Sequence, residues 1–348
     1  MDLNLLAPWL HAPMRRALDG LASGRLAHAL LVCGPKHIGK TAFADALAKT
    51  MLCRDRRDGF ACGRCRDCQL FETRAPVDPR EVRPDGSPAH PGGRRGHPDF
   101  RHVTYEINPK SSPPKMFGVL SIEQIRDLGA WLALTPQRGG AQVVVIDPAN
   151  AMNENASNAL LKTLEEPLQG RHLMLLSDAP MRLSATIRSR CQRIDLQPPA
   201  DAAAWEWLRT RGIDAAIART ALDAAHGHPG LAAHWIDEGL LALREAVGAD
   251  LARIADGSAR PLDVASAWLA DERAEQRLGF AADVAVGLQA RAHGAPGAAV
   301  PGLRVADASK LSAWFDSANR TRAMLRSPVR MDLALAALLR DWREAVAG

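Results

Sequence analysis

The sequence predicts an α/β domain with a parallel sheet and helices on both faces, followed by a segment that is helical almost throughout. Apolar runs such as 29–33 and 143–146 alternate with segments of helical periodicity as far as Leu196. A glycine-containing turn, 34–41, lies between the first strand and a helix. Beyond residue 198 the chain is rich in alanine and leucine, and strand signals are weak. Alternating strands and helices are typical of a doubly wound parallel sheet.

Length and composition bound the class of protein. A chain of 348 residues is too long for one ordinary core, and 47% hydrophobic and 24% charged residues are typical of globular domains. No run of about 18 apolar residues occurs, and the first six residues do not resemble a secretory signal. We therefore expect a cytoplasmic protein with no membrane contact. A net charge of +5 and 5% aromatic residues argue against a dedicated nucleic-acid module.

The predicted elements of the first half follow in a regular order. We predict a helix before residue 26, the strand and helix around the turn, a short strand at 100–104, and a helix that opens with a capping box at Ser121. The later predicted elements are strand 142–147, helix 155–166 ended by Pro167, and strands 172–177 and 192–196.

Residues 75–98 differ in composition from the rest of this domain. The segment contains six prolines, four glycines and scattered charges. Such a composition does not bury enough apolar surface to offset the entropy lost on ordering. We therefore predict a flexible surface insertion without a packed core.

The turn fits the G-x-x-x-x-G-K-[ST] phosphate-binding pattern. Its glycines allow backbone N–H groups to surround a phosphate, Lys40 places a cation near the terminal phosphates, and Thr41 can ligate magnesium. The N-terminus of the following helix adds partial positive charge. A merely structural tight turn is the alternative. The predicted nucleotide-binding residues of this loop are Gly34, Pro35, Lys36, His37, Ile38, Gly39, Lys40 and Thr41.

Hydrolysis of a bound nucleotide would require further carboxylates. Asp147 ends a strand and fits the magnesium shell, although an aspartate before proline is equally typical of a turn. The next residue, Pro148, has no acid–base capacity, and Glu154 lies in the turn before the next helix. The sequence therefore predicts a loop that can hold phosphates but is poorly equipped to hydrolyse them.

Four cysteines follow the helix after the loop with the spacing C-x8-C-x2-C-x2-C. In a reducing compartment, such spacing indicates a metal site, and four thiolates can close a tetrahedral shell around structural zinc. An iron–sulfur cluster would require a further cysteine followed by proline, and four free buried thiols are the other alternative. The predicted ligands are Cys53, Cys62, Cys65 and Cys68, whereas Cys33 and Cys191 are predicted to be ordinary buried thiols.

Arg190 lies between Ser189 and Cys191, before the last predicted strand. An arginine at a domain edge is usually a solvated surface charge. An arginine that reaches the γ-phosphate of a neighbouring subunit, however, contributes strongly to phosphoryl transfer. The residues alone leave both interpretations open.

Together these motifs resemble the bacterial clamp-loader branch of the AAA+ proteins. The resemblance covers 27–197, and its most specific part is NALLKTLEEP at 158–167. It is also carried by His28-Ala29-Leu30, the phosphate loop, the four cysteines and Ser189-Arg190-Cys191. It implies an AAA+ nucleotide domain over 1–197 with a zinc module at 53–68, a helical lid over 198–240, and an all-α collar over 241–348 that joins five subunits in a ring.

Within this branch, the residues favour the delta-prime family over the ATP-hydrolysing gamma/tau motor family. The motors have Asp-Glu where this chain has Asp147-Pro148, and a lid arginine where it has Gly230. Residues 96–100 (GHPDF) resemble a His-Pro-Asp segment of the delta-prime family. A motor subunit and an autonomous AAA+ ATPase are the alternatives. The intact phosphate loop also leaves nucleotide binding open.

The resemblance further implies residue roles, cofactors and partners. Arg190 would act in trans on ATP held by the adjacent motor subunit, and Ser177 would occupy the sensor 1 position. The implied cofactors are structural zinc and, at the phosphate loop, ATP with Mg²⁺. The implied partners are gamma/tau and delta subunits in a hetero-pentameric ring and, through it, the sliding clamp and primed DNA. We expect no polymerase activity, and little or no ATP hydrolysis, from the chain itself.

Overall fold

The computed structural model describes residues 6–83, 88–90, 93–108, 115–166, 168–294, 300, 302–325 and 330–347. In these ranges the α-helices are α1 His11–Ala22, α2 Lys40–Leu52, α3 Arg66–Glu72, α4 Ile122–Leu132, α5 Glu154–Glu165, α6 Ala185–Arg190, α7 Asp201–Thr210, α8 Ala215–Ala224, α9 Pro229–Asp237, α10 Leu240–Ala255, α11 Pro261–Trp268, α12 Ala274–Ala292, α13 Ala308–Met324 and α14 Met331–Ala345. The strands are β1 Ala29–Cys33, β2 Arg74–Ala75, β3 Arg94–Arg95, β4 Phe100–Val103, β5 Ile107–Asn108, β6 Lys115–Met116, β7 Gln142–Ile146, β8 Arg171–Ser177, β9 Gln192–Asp195, β10 Arg304–Val305 and β11 Val346–Ala347. Residues 1–5, the helix stop at Pro167, and Pro84, Gly86, Pro91 and Gly92 of the predicted insertion lie outside the described residues.

Five parallel strands form the central sheet in the order β4-β7-β8-β1-β9. Strand β1 lies between β8 and β9, with Cys33 opposite both Ser177 and Asp195. Every residue of β1 and β7 is buried, which explains why both sequences, apart from Gln142 at the start of β7, are continuously apolar rather than alternating. Because the strands are parallel, their carboxyl ends meet at one edge, and ligands of such sheets bind at that edge.

Helices cover both faces of this sheet. Leu10, Phe43 and Leu47 belong to the core on one face, where α1 and α2 pack. Ile125 and Leu160 belong to the core on the other face, where α4 and α5 pack. The predicted class, a parallel sheet with helices on both faces followed by a helical segment, is therefore confirmed.

Local capping fixes the starts of α4 and α5. Ser121 Oγ accepts from the Gln124 backbone N–H, and Gln124 Oε1 accepts from the Ser121 backbone N–H at 2.8 Å. This is the capping box that the sequence predicts. Helix α5 begins after Asn153, whose Oδ1 accepts from the Ala156 backbone N–H at 2.8 Å. These caps hold two helices against the sheet next to the end of β7.

The chain divides into two compact units, and each is described by itself. The first comprises residues 1–212 and 227–231, and contains the sheet. The second comprises 213–226 and 232–348, and it is almost wholly helical in its described part. Its core holds Trp314 and Trp342, whose indole N–H groups donate to the carbonyl oxygens of Leu338 and Leu251. The lid and collar boundaries at 198 and 241 do not coincide with these units and stay predictions.

No helix in the described part of the chain combines the length and the apolar composition that a membrane span requires.

The insertion differs from its predicted flexibility in the described residues 75–83, 88–90 and 93–98. Strand β2 pairs with β3, and the Ala89 backbone N–H donates to the Glu81 carbonyl oxygen at 2.8 Å. Ala89, His90 and His97 are buried. Ion pairs of Arg94 with Glu81 and of Arg95 with Asp45 add to these contacts. Charge-assisted hydrogen bonds thus provide order that the apolar content of the segment does not predict.

Candidate functional site

The phosphate loop, residues 34–41, connects β1 to α2 at the carboxyl edge of the sheet. Gly39 precedes α2 with a φ of 100°, a left-handed conformation that favours glycine. A Cβ atom on Gly34 would lie 2.6 Å from the Leu196 carbonyl oxygen, so this close approach also requires glycine. Ile38 is buried, and its carbonyl oxygen accepts from Trp9 Nε1 at 2.9 Å. The fold therefore requires both glycines of the motif.

Lys40 holds the loop closed on itself. Its Nζ donates to the carbonyl oxygens of Gly34 at 2.9 Å and Pro35 at 2.8 Å. Burial lowers the pKa of Lys40, and the nearby Asp178 and Asp147 carboxylates oppose that shift. A phosphate group entering the loop would replace the two carbonyl oxygens as hydrogen-bond acceptors for this ammonium group.

Asp147, directly after β7, lies within hydrogen-bond distance of Thr41. Its Oδ2 accepts from Thr41 Oγ1 at 3.1 Å and from Arg83 Nη2 at 2.7 Å. His102 Nε2 lies 3.9 Å from the same oxygen, and burial lowers the pKa of His102 to about 4. That ring is therefore neutral at neutral pH, and Arg83 supplies the positive charge that pairs with Asp147.

Ser177 ends β8 beside the phosphate loop. Its carbonyl oxygen accepts from the Gly34 backbone N–H at 3.2 Å, which ties the start of the loop to the sheet. Its Oγ donates to Asn150 Oδ1 at 2.9 Å and accepts from the Ala179 backbone N–H at 3.2 Å. Because Ser177 is fully buried, these contacts fix the orientation of its hydroxyl at the edge of the sheet.

The first turn of α9 contacts the phosphate loop at His37. A Cβ atom on Gly230 would overlap the carbonyl oxygen of His37. The neighbouring His228 is buried, and its Nδ1 accepts from the Leu231 backbone N–H at 3.1 Å. Position 230 therefore lacks both an arginine and the space for any side chain.

The four predicted metal ligands come together in a cluster after α2. Their Sγ atoms all lie within 4.8 Å of one another. Cys53 Sγ is 3.7 Å from Cys62 Sγ and 3.8 Å from Cys65 Sγ. Tetrahedral zinc with bonds of about 2.3 Å separates its sulfur ligands by about 3.8 Å. A hydrogen bond from the Arg64 backbone lowers the pKa of Cys62 to about 6, whereas burial raises the pKa of Cys53 and that of Cys68. Together with Cys68, these residues can hold a metal ion.

Residues 97–99 hold this cysteine cluster to the sheet. The Asp99 carboxylate accepts from the backbone N–H groups of Gln137 at 2.7 Å and Arg138 at 2.8 Å. Arg138 Nε donates to Asp67 Oδ1 at 2.8 Å, and His97 Nε2 lies 3.5 Å from the same oxygen. Because Asp67 lies on α3 next to Cys68, the His-Pro-Asp segment has a structural role beside the metal ligands.

Arg190 is the last residue of α6 and lies partly exposed at the surface. Its Nη2 is 2.6 Å from Glu165 Oε1, and its Nη1 donates to the Thr186 carbonyl oxygen at 3.2 Å. The Arg190 side chain is 36% exposed and that of Glu165 is 48% exposed. Glu165 belongs to the NALLKTLEEP stretch, so the two motifs form one surface ion pair.

Comparison with known proteins decides the family. The family described as "DNA polymerase III, delta subunit" matches residues 13–200. DNA polymerase III subunit delta′ of Pseudomonas aeruginosa is 37% identical over 198 residues, 56% of this chain and 52% of that protein. The chain belongs to the DNA polymerase III delta-prime family.

Two other relatives complete the comparison. Subunit delta′ of Haemophilus influenzae is 31% identical over 244 residues, 70% of this chain and 65% of that protein. Subunit tau of Escherichia coli is 31% identical over 179 residues, 51% of this chain and 23% of that protein. The chain thus spans about half to two thirds of the length of the delta-prime relatives described here. The predicted membership of the delta-prime family is confirmed.

Three residues at the site of this delta-prime chain escaped the sequence analysis. Arg83 lies in the segment predicted to be flexible, Asn150 lies in a short turn after β7, and Asp178 follows Ser177. Arg83 reaches Asp147 across 64 positions of sequence, and no local pattern predicts such a contact. Asp178 could have been found, because it directly follows a strand that ends at the predicted nucleotide edge.

Proposed function

We propose that this chain is a non-motor subunit of the DNA polymerase III clamp loader. In a hetero-pentameric ring with gamma/tau and delta subunits, it helps to load the sliding clamp onto primed DNA. Its Arg190 reaches ATP bound to the neighbouring motor subunit. Membership of the delta-prime family and similarity to a tau subunit support this assignment.

The surroundings of Asp147 carry the proposal. In a motor site this carboxylate serves the magnesium shell, and a following carboxylate activates water. Here Arg83 pairs with Asp147, and Pro148 follows it. Gly230 leaves no space for a lid arginine. Three features that hydrolysis requires are therefore altered around the phosphate loop, which favours a subunit that does not turn ATP over itself.

The position of Arg190 supports its proposed role in trans. Its partner in this chain is Glu165, and both side chains are at least a third exposed. An exposed ion pair contributes only about 0–1 kcal/mol, so exchange of Glu165 for a phosphate costs little. Arginine suits this role because its planar fork matches phosphate oxygens.

The four cysteines are proposed to bind structural zinc. Four thiolates fill a tetrahedral shell and leave no position for water, so the metal would stabilise the module rather than catalyse a reaction. Their sulfur separations of 3.7 and 3.8 Å support this assignment. Residues 34–41 are further proposed to bind ATP without turnover, since the glycines, Lys40 and Thr41 are intact.

Substitution of Arg190 in the assembled loader tests the proposal. Arg190→Ala should lower DNA-stimulated ATP hydrolysis while the ring still forms, because trans-acting arginines contribute about 10³- to 10⁵-fold at the site that they complete. Arg188→Ala, on the same helix, is the matched control and should leave the rate unchanged. An unchanged rate with Arg190→Ala would remove the proposed role.

A motor or autonomous ATPase is the second candidate, since the phosphate loop is intact. It predicts that the purified chain hydrolyses ATP alone at about 1 s⁻¹ or faster, within the usual enzyme range. The proposed function predicts no hydrolysis above a Lys40→Ala control measured in parallel.

A further inference from the structure

The described part of the insertion that ends at residue 83 supplies an arginine to the phosphate-loop site. Val82 pairs with Pro88 in an isolated bridge, and buried His90 packs edge-on against His102 at 5.3 Å between ring centroids. These contacts anchor the chain on both sides of residues 84–87. They position Arg83, which is 20% exposed and reaches the nearly buried Asp147.

Arg83 lies where a phosphate-loop protein needs a cation. Asp147 Oδ2 accepts hydrogen bonds from both Arg83 Nη2 and Thr41 Oγ1. In phosphate loops, the carboxylate and the hydroxyl at the positions of Asp147 and Thr41 serve the bound magnesium. Arg83 is also close enough to Lys40 to affect it electrostatically. The Arg83 guanidinium therefore shares the Asp147 oxygen with Thr41, the two residues that would otherwise serve the divalent ion.

One donor of this guanidinium remains to be satisfied. Arg83 Nε is buried and has no hydrogen-bond partner among the described residues. A buried donor without an acceptor is destabilising, so an acceptor oxygen that reached this atom would be favourable. Guanidinium groups bind phosphate oxygens through several parallel hydrogen bonds.

We propose that Arg83 replaces Mg²⁺ at the phosphate loop, so that this chain holds the phosphates of a nucleoside triphosphate without a divalent cation. The inference rests on the proposed nucleotide occupancy of residues 34–41. Arg83 would keep its pairing with Asp147 and offer its remaining donors to the phosphate oxygens. The bound nucleotide then lacks the metal that neutralises charge during phosphoryl transfer, and it acts as a fixed part of the fold.

Metal dependence of nucleotide binding tests this inference. The full chain is titrated with a fluorescent N-methylanthraniloyl ATP, with excess Mg²⁺ or in buffer freed of divalent cations on a chelating resin. Free chelator is avoided because it would compete for zinc. Wild type should bind equally in both buffers. Arg83→Ala should bind about tenfold or more weakly without metal, and Mg²⁺ should restore its binding.

Two further variants control for charge and for folding. Arg80→Ala removes the same charge from the same segment, where Arg80 pairs with Asp78 at the surface, and should behave as wild type. Arg83→Lys keeps the charge and should retain part of the metal-free binding. Thermal melting of each variant shows whether it folds.

Three outcomes would overturn the inference. Wild type could require Mg²⁺, Arg83→Ala could bind as tightly as wild type without metal, or wild type could bind no nucleotide in either buffer. In the last case, binding gained by Arg83→Ala with Mg²⁺ would assign Arg83 to exclusion of nucleotide instead. None of these outcomes alters the test of Arg190, which concerns the nucleotide of a neighbouring subunit.

Discussion

Lys40 and Arg190 are the two cations on which the proposed function depends, and their surroundings differ. Lys40 donates to the carbonyl oxygens of Gly34 and Pro35 within its own loop. Arg190 is exposed and paired with Glu165, which is itself exposed. A residue that must reach another subunit needs such exposure. The structure therefore supports an internal role for Lys40 and an external role for Arg190.

The cysteine cluster gives a prediction for single residues. Cys65→Ser should abolish retention of one zinc ion per chain after dialysis and lower the melting temperature, because structural zinc contributes its binding energy to folding. Zinc content and thermal melting of the same sample measure this. Cys191→Ser is the matched control, since that thiol lies outside the cluster, and burial raises its pKa to about 11. Full zinc content in Cys65→Ser would contradict the assignment.

Local residue patterns predicted only part of the site. The loop glycines and the four cysteines were identifiable because short spacing alone brings their groups together. Arg83 was not, because its contact with Asp147 depends on how a charged, proline-rich segment folds over β4. The composition of this segment predicts too little apolar burial for an ordered structure. The ion pairs of Arg94 with Glu81 and of Arg95 with Asp45, which composition does not reveal, supply the missing contacts.

At the scale of elements, patterning predicted the five strands of the central sheet but not their order. β1 and β7 are recognisable as buried strands because every residue in them is apolar except Gln142. The register that sets Cys33 opposite Ser177 depends on tertiary pairing. The capping box at Ser121 is local, so the start of α4 was predictable to the residue.

The first turn of α9 gives a prediction at the same scale. Gly230→Ala should lower the free energy of unfolding by about 1–3 kcal/mol, because the added Cβ overlaps the His37 carbonyl oxygen and overpacking has this magnitude. That loss exceeds the roughly 0.5–1 kcal/mol that alanine gains over glycine within a helix. Denaturant unfolding measures the difference.

Gly129→Ala is the matched control for this helix substitution. A Cβ atom there would meet Thr163 Oγ1 at 3.9 Å, an ordinary contact. This variant should be as stable as wild type or more stable. Equal stabilities of Gly230→Ala and Gly129→Ala would show that the close approach to His37 does not constrain position 230.

For the whole molecule, helical composition predicted the class of the second unit but not its packing. Alanine and leucine periodicity indicates helices after residue 198, and α8 to α14 confirm them. The tilted ring pair Trp314–Trp342, with centroids 4.6 Å apart, joins α13 to α14. The sequence alone does not predict that these two helices pack together. The proposed division into lid and collar depends on assembly with other subunits and cannot be derived from periodicity.

The central claim is that this chain contributes to hydrolysis through Arg190 and not through its own phosphate loop. Clamp loaders assembled with wild type, Lys40→Ala or Arg190→Ala test it most directly, with DNA-stimulated ATP hydrolysis measured at equal ring concentration. We predict that Lys40→Ala retains the wild-type rate and that Arg190→Ala loses the share contributed by the neighbouring site. A loss with Lys40→Ala and a wild-type rate with Arg190→Ala would contradict the account.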